Sequence, residues 1–262
     1  MCINALSRFD MWVYAYICLG GYTVCMVSQV ELVHEGRWDT LLILDAMRYD
    51  VFKQLNKIPG KLVKATSPAP HTWPWLDAMF PHRYPWTYFT AHPHIVHKDI
   101  PDRWRGNLHF DRVVPIWDKY WNDELGTVHP VDVCKVVGTT PYKKAIVHFI
   151  QPHGPWIGKH KLLNPWSLEL HQKYNMMADW IIERVKPTPL QFRLLYKDNV
   201  RLVLNTIQKN LKLFKGRVVI TSDHGEMLGE SDKDGEPIFL HHPSYPEFAV
   251  KKLLEVPWFV VS

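Results

Sequence analysis

A chain of 262 residues that is 47% hydrophobic and 22% charged has enough apolar surface for a sizeable core, which excludes a disordered chain and a small disulfide scaffold. Its formal net charge of +5 suits an anionic substrate and is too small to argue for a nucleic-acid partner. The four cysteines, Cys2, Cys18, Cys25 and Cys134, show no CxxC spacing, which favours a reducing compartment and a cytoplasmic location.

In chain order, the uncharged run "WVYAYICLGGYTVCMVSQV" (12–30) approaches the length of a bilayer span but contains two adjacent glycines and several polar residues. Residues 1–36 are therefore read as an N-terminal helical extension, with a membrane anchor as the alternative, and 37–262 as the main domain. "DTLLILDAMRYDVFKQL" (39–55) reads as a short apolar strand, a turn at Asp45 and a helix. "KLVKAT" (61–66) is a second strand, residues 67–86 hold a short helix between two loops, and "TYFTAH" (87–92) is a third strand. From about 93 to 141 periodicity is weak, and irregular excursions over the core are expected. "KAIVHFI" (144–150) is a buried strand. "WSLELHQKYNMMADWIIERV" and "LQFRLLYKDNVRLVLNTIQKNLKLF" are two helices separated by "KPTP". "RVVITS" and "VPWFVV" complete the strands. Strands alternating with helices predict an α/β fold, a three-layer αβα sandwich around a largely parallel sheet.

Ligands of open α/β sheets bind at the carboxyl ends of the strands, and three apolar strands here end in reactive groups. "LLIL" ends at Asp45, "AIVHF" leads to His153, and "VVITS" ends at Asp223-His224. Parallel strands would bring two carboxylates and an imidazole to one edge, hard ligands suited to Zn²⁺, Mn²⁺ or Mg²⁺. A helix N-cap is the plainer reading of each strand-terminal Asp taken alone.

These segments carry a resemblance. "WDTLLILDAMRYDVF" and "VVITSDHGEMLGE" resemble the first and last metal-binding segments of the alkaline phosphatase and sulfatase superfamily. "HFIQPHGPW" is similar to its mid-chain His-Pro segment, and "HHPSYPEFAVKKLLEVPWFVV" to its closing element. The resemblance implies an alkaline-phosphatase-like fold and a catalytic domain over 37–262. It implies a nucleophile at the start of a helix beside the metal, where sulfatases carry C/S-x-P-x-R. The matching positions here are "TWPWL", so Thr72 takes the nucleophile position, Pro74 keeps the proline and Leu76 replaces the arginine. Threonine is not a formylglycine precursor, and it fits the phosphatase, phosphodiesterase and phosphotransferase branches. Ser67 and Thr66 are weaker alternatives for the nucleophile.

By the same matching, Asp45, Thr72, Asp223 and His224 form one divalent metal site, with Ca²⁺ also admitted as the ion. His242 is a further ligand or substrate contact. A second ion is expected to be weak or absent, because the long helix offers Leu204 or Asn205 where an acid would stand. His153 would contact substrate oxyanions or protonate the leaving group. Arg48 would clamp phosphate or form a structural salt bridge. The expected substrate is a small-molecule, glycan or lipid phosphate ester, with a sulfate ester or a non-catalytic anion-binding module as alternatives. "HPHIVH" (92–97) is read as a loop rather than a metal site, and "SDKDGE" (231–236) as a surface turn. The Trp-rich loops would either stack on a sugar or base or pack a small core. Glu226 is left to hydrogen-bond near the site or to face water.

Overall fold

A computed structural model describes residues 27–97, 103–163, 168, 182–232, 234–240 and 247–262. An eight-stranded sheet runs in the order β1 (Val27–Ser28), β3 (Gly60–Thr66), β14 (Glu255–Val261), β11 (Val218–Thr221), β2 (Thr40–Leu44), β10 (Ala145–Phe149), β4 (Tyr84–Thr90) and β7 (Phe110–Pro115). Only β14 is antiparallel to its neighbours, β3 and β11; every other pairing in this sheet is parallel. The remaining strands form short pairs: β5 (Ile95–Val96) with β6 (Trp104–Arg105), β8 (Trp121–Asn122) with β9 (Thr127–Val128), and β12 (Met227–Ser231) with β13 (Pro237–Leu240).

The three layers follow from the period of two along β2, whose five residues are all buried. Leu42 and Leu44 face one apolar cluster with Val147, Phe149 and Ile220. Leu41 and Ile43 face a second cluster with Ile146, Tyr88 and Val219. The first cluster is closed by α2 (Tyr49–Leu55), α6 (Pro130–Thr139) and α7 (Pro189–Asn210), and the second by α1 (Gln29–His34) and α3 (Thr72–Met79). Both faces of the sheet are therefore covered, as a parallel sheet requires. Each fully buried Leu or Phe contributes about 1.5–3 kcal/mol relative to exposure. Trp75, Trp104 and Trp117 belong to these clusters, which resolves those three tryptophans to core packing; Trp73 remains exposed.

The long helix α7 begins where local chemistry dictates. Thr188 accepts from Gln191 N–H while the Gln191 side chain reaches back to Thr188 N–H, and Pro189 occupies the first helical position. The segment from 93 to 141 departs from the irregular expectation. It contains α6, two single-turn helices, α4 (Gly106–His109) and α5 (Trp117–Tyr120), and the edge strand β7. The sequence of α6, "PVDVCKVVGT", is rich in β-branched residues with poor helix propensity. Burial of Val133, Cys134 and Val137 along one side overrides it. Strand β7 ends in Pro115, which an edge strand tolerates. Residues 166–185, read as a helix, lie mostly outside the described residues, as do residues 12–26 of the uncharged run. From Val27 onward the N-terminal segment is already joined to the sheet edge through β1. The Gln29 side chain on α1 donates to Thr221 Oγ1 (2.9 Å) and Ser222 O, and accepts from Trp75 Nε1 (2.9 Å), tying α1 to β11 and α3.

Candidate metal centre and active site

Because β2, β3, β4, β10 and β11 share one direction, their carboxyl ends meet at one edge of the sheet. Asp45 follows β2, Asp223 and His224 follow β11, and Thr72 opens α3 after β3. One oxygen of each carboxylate and one His224 nitrogen lie within 4.8 Å of one another, and all three residues are buried. The Thr72 hydroxyl donates to Asp223 Oδ2 at 2.7 Å and stands 3.3 Å from His224 Nε2. The four residues matched to the metal segments thus converge.

The hydrogen bonds leave ligand atoms aimed inward. His224 Nδ1 lies 2.7 Å from Gly225 O; a carbonyl only accepts, so Nδ1 carries a proton and Nε2 is the ring nitrogen that faces the carboxylates. That Nε2 is 3.5 Å from Asp45 Oδ1 and 3.4 Å from Asp223 Oδ2. Asp223 Oδ1 accepts from Ala46 N–H (3.1 Å) and His224 N–H (2.9 Å). Asp45 Oδ1 is buried and receives no hydrogen bond.

The protein's own charges make the site unfavourable for anions and favourable for a cation. Burial, then the neighbouring Asp223 and Glu226, hold the Asp45 carboxyl well above the usual carboxylate range. Burial works the same way on Asp223, but His224, His148 and the bonds from Thr72 and Ala46 outweigh it and keep that carboxylate below its ordinary value. A divalent ion is the group whose charge and donor preference match three buried carboxylates or imidazoles plus a hydroxyl. The residues therefore fit a metal, on the Asp45 oxygen that receives no hydrogen bond and on His224 Nε2.

The other expected residues are distributed as follows. His153 comes to the site through its backbone, whose N–H donates to Asp45 O at 3.1 Å, while its Nδ1 lies 3.0 Å from Gly154 O. His242 lies outside the described residues. Arg48 fills the structural alternative: its guanidinium donates to both Asp50 oxygens (2.9 and 2.6 Å), to Glu230 Oε1 (2.5 Å) and to Glu226 O (3.2 Å). Asp198, on α7, accepts from Arg201 and pairs with His160. Ser67 Oγ is buried and donates to backbone carbonyls, including that of Asp223, so it is a strut and not a free hydroxyl. Leu76 is buried in the apolar core under α3.

His92 and His148, which the sequence reading did not use as site residues, border the cluster together with Glu226. His92, from the "HPHIVH" loop, has Nε2 3.7 Å from Asp45 Oδ2. His148, inside β10, has Nε2 3.8 Å from Asp223 Oδ2 and Nδ1 2.8 Å from the Tyr88 hydroxyl; burial pushes its pKa down to about 4, so it is neutral at pH 7. Glu226 is fully buried and does not face water. The signal for His148 was the alternation of "AIVHF", which puts it on the same face as Ile146. Gly225 is required by close approach: its φ is not positive, and a Cβ there would sit 2.1 Å from Lys252 O. Its N–H donates to Leu253 O at 2.6 Å, so the strand end and the residues leading into β14 touch backbone to backbone.

No protein-family model matches the chain, and no curated protein matches it. Solved structures do. The C-terminal periplasmic domain of EcEptC from Escherichia coli, in complex with Zn, superposes with a TM-score of 0.54 at 14% identity over 85% of this chain and 72% of that one. The same domain without zinc in its description gives 0.53 at 12% identity, over 85% and 71%. The integral membrane lipooligosaccharide phosphoethanolamine transferase A of Neisseria meningitidis gives 0.47 at 16% identity, and this chain spans 47% of its length. The fold is therefore the alkaline-phosphatase/sulfatase-like αβα sandwich that the sequence motifs implied. The E. coli domains are periplasmic, so the comparison lends no support to the cytoplasmic expectation. Among the described residues no helix is long and apolar enough to cross a membrane.

Proposed function

We propose that this chain is a metal-dependent hydrolase or phosphotransferase acting on phosphate esters, with Thr72 as its nucleophile. The observation that carries the reading is the position of Thr72 Oγ1, at the first residue of α3, 2.7 Å from Asp223 Oδ2 and 3.3 Å from His224 Nε2. Asp45, Thr72, Asp223 and His224 would hold one divalent ion, Zn²⁺, Mn²⁺ or Mg²⁺. That ion would supply Lewis acidity, lowering the hydroxyl pKa and neutralising charge on phosphoryl oxygens. Thr72 Oγ1 forms the bond to phosphorus while the ester P–O bond on the opposite side breaks. Asp223 Oδ2 stands where the hydroxyl proton points. The backbone N–H groups at the start of α3 face the transferred group. His153, with Nδ1 3.0 Å from Gly154 O, would contact the substrate oxygens, or protonate the departing oxygen from Nε2 when the ring carries a proton on both nitrogens. Water or an acceptor hydroxyl then takes the phosphoryl group from Thr72. The substrate class is a small-molecule, glycan or lipid phosphate ester. Sulfate esters rank second, since Leu76 offers no cation where sulfatases place an arginine.

The test is turnover of nitrophenyl phosphate mono- and diesters with each cation, beside nitrophenyl sulfate. Chelator should abolish activity, Thr72→Ala should lower kcat about a thousandfold or more, and phosphate should exceed sulfate. Mass spectrometry of quenched enzyme should find a phosphoryl group on Thr72. Equal turnover by wild type and Thr72→Ala removes Thr72 from the mechanism. Cation binding without turnover of any ester moves the protein to the non-catalytic, anion-binding class.

A further inference from the structure

Asp45 is followed by a residue in a conformation that its own chemistry disfavours. Ala46 has φ of 61°, in the left-handed region where an L-residue with a Cβ is strained and glycine is not. Met47 N–H closes the turn locally on Leu44 O at 3.2 Å, and tertiary bonds hold Ala46 within it. Ala46 N–H donates to Asp223 Oδ1 at 3.1 Å, and Met47 N–H to Ser222 Oγ at 2.7 Å. Ala46 C=O accepts from the Tyr196 hydroxyl at 2.6 Å, and the same hydroxyl accepts Arg48 N–H at 3.0 Å. One phenol oxygen thus closes over both ends of the turn from Ala46 to Arg48.

Tyr196 is equipped to hold that position. It is fully buried on α7, within the apolar cluster that includes Phe192 and Val200. Burial raises its pKa well above the ordinary phenol value, so the proton it donates is retained. Its hydroxyl makes no hydrogen bond to the carboxylate of Asp45, Asp223 or Glu226; it acts on the backbone that carries Asp45.

We infer that Tyr196 is a positioning residue: its hydroxyl keeps Ala46 left-handed and so sets the aim of the Asp45 carboxylate into the metal site. The consequence for metal rests on the function proposed above; the effect on the turn does not. Tyr196→Phe removes one oxygen and keeps the ring. In a crystal structure of that variant Ala46 should leave the left-handed region and the Asp45 carboxylate should shift. Affinity for Zn²⁺ or Mn²⁺, read by chelator competition, should fall about tenfold or more, and the visible spectrum of bound Co²⁺ should change. Adding Ala46→Gly to Tyr196→Phe should restore most of the affinity, because glycine takes positive φ without penalty. The same double variant serves if Tyr196→Phe alone does not fold. A variant that keeps Ala46 left-handed and binds the cation as wild type does overturns the inference, as does a loss that Ala46→Gly leaves unrepaired. A wild type that binds no divalent cation overturns the metal site instead, and φ at Ala46 in the variant then decides the inference alone.

Discussion

Asp45 and Arg48 are three residues apart and both buried, and their surroundings treat the two charges oppositely. Arg48 is matched almost donor for acceptor: two oxygens of Asp50, one of Glu230 and a carbonyl complete its guanidinium, and Lys252 adds a second cation at Asp50 (3.3 Å). Asp45 faces Asp223 and Glu226, charges of its own sign, and one of its oxygens has no hydrogen bond. The first arrangement is closed and complete within the chain. The second offers donor atoms that a cation would complete. A buried carboxylate among like charges, with only the imidazoles of His224 and His92 at 3.5 and 3.7 Å facing it, is costly, and the contrast sets a structural ion cluster beside a candidate binding site within one turn.

The strongest way to break this contrast is Asp45→Asn. Cation affinity should fall about a hundredfold or more, measured by chelator competition. In chelator the same variant should melt at or above the wild-type temperature, because a carboxylate held among like charges has been neutralised. A clear loss of stability without metal would contradict the reading. Saturation gives the next effect: cation at a hundred times the wild-type Kd should stabilise wild type by about 2.7 kcal/mol and Asp45→Asn by about 0.4 kcal/mol or less. Arg48→Met should act in the opposite sense, costing about 2 kcal/mol in denaturant unfolding, because its partners Asp50 and Glu230 are partly solvated. Its cation affinity and KM should stay within about threefold of wild type, since the side chain stands apart from the site; a large KM increase would return Arg48 to the substrate.

The smallest effect is a pH dependence. Burial raises the Asp50 carboxyl, but Arg48 and then Lys252 outweigh it and hold it at about 2. A depressed folded-state pKa means stability that is fully present above the unfolded value, about 3.9, and lost as pH falls through the folded one. Asp50 is 49% exposed, so the contribution is screened. Asp50→Asn should therefore cost about 0.5–1 kcal/mol at neutral pH, and the difference from wild type should vanish as acid takes the pH from 4 towards 2. A difference that persists at pH 2 would mean that Asp50 acts through something other than its charge.

Much of this site was legible in the sequence because apolar strands announce themselves and their first polar residue falls at the sheet edge. Asp45, Asp223 and His224 were visible in that way, and Thr72 through the proline-containing match that follows it. His92 was not, because nothing local to "HPHIVH" states that β4 lies two strands from β2. Tyr196 was equally hidden: its hydroxyl meets Ala46 across 150 positions of sequence. The helix α6 was missed for a different reason, since its β-branched residues argue against a helix that only burial rescues. The antiparallel course of β14 left no trace in "VPWFVV", where an apolar run reads the same in either direction.

That course has a consequence for how the protein is made. Strand β14 is wedged between β3, which leads to Thr72, and β11, which leads to Asp223. As a ribosome works along the message, the residues of β3 and β11, with Thr72 and Asp223 beyond them, are made before residues 255–261. Until that last segment is threaded between them, the sheet has no strand joining the two. Thr72 and Asp223 are thus expected to be brought together only once residues 255–261 have been made and have paired with both β3 and β11.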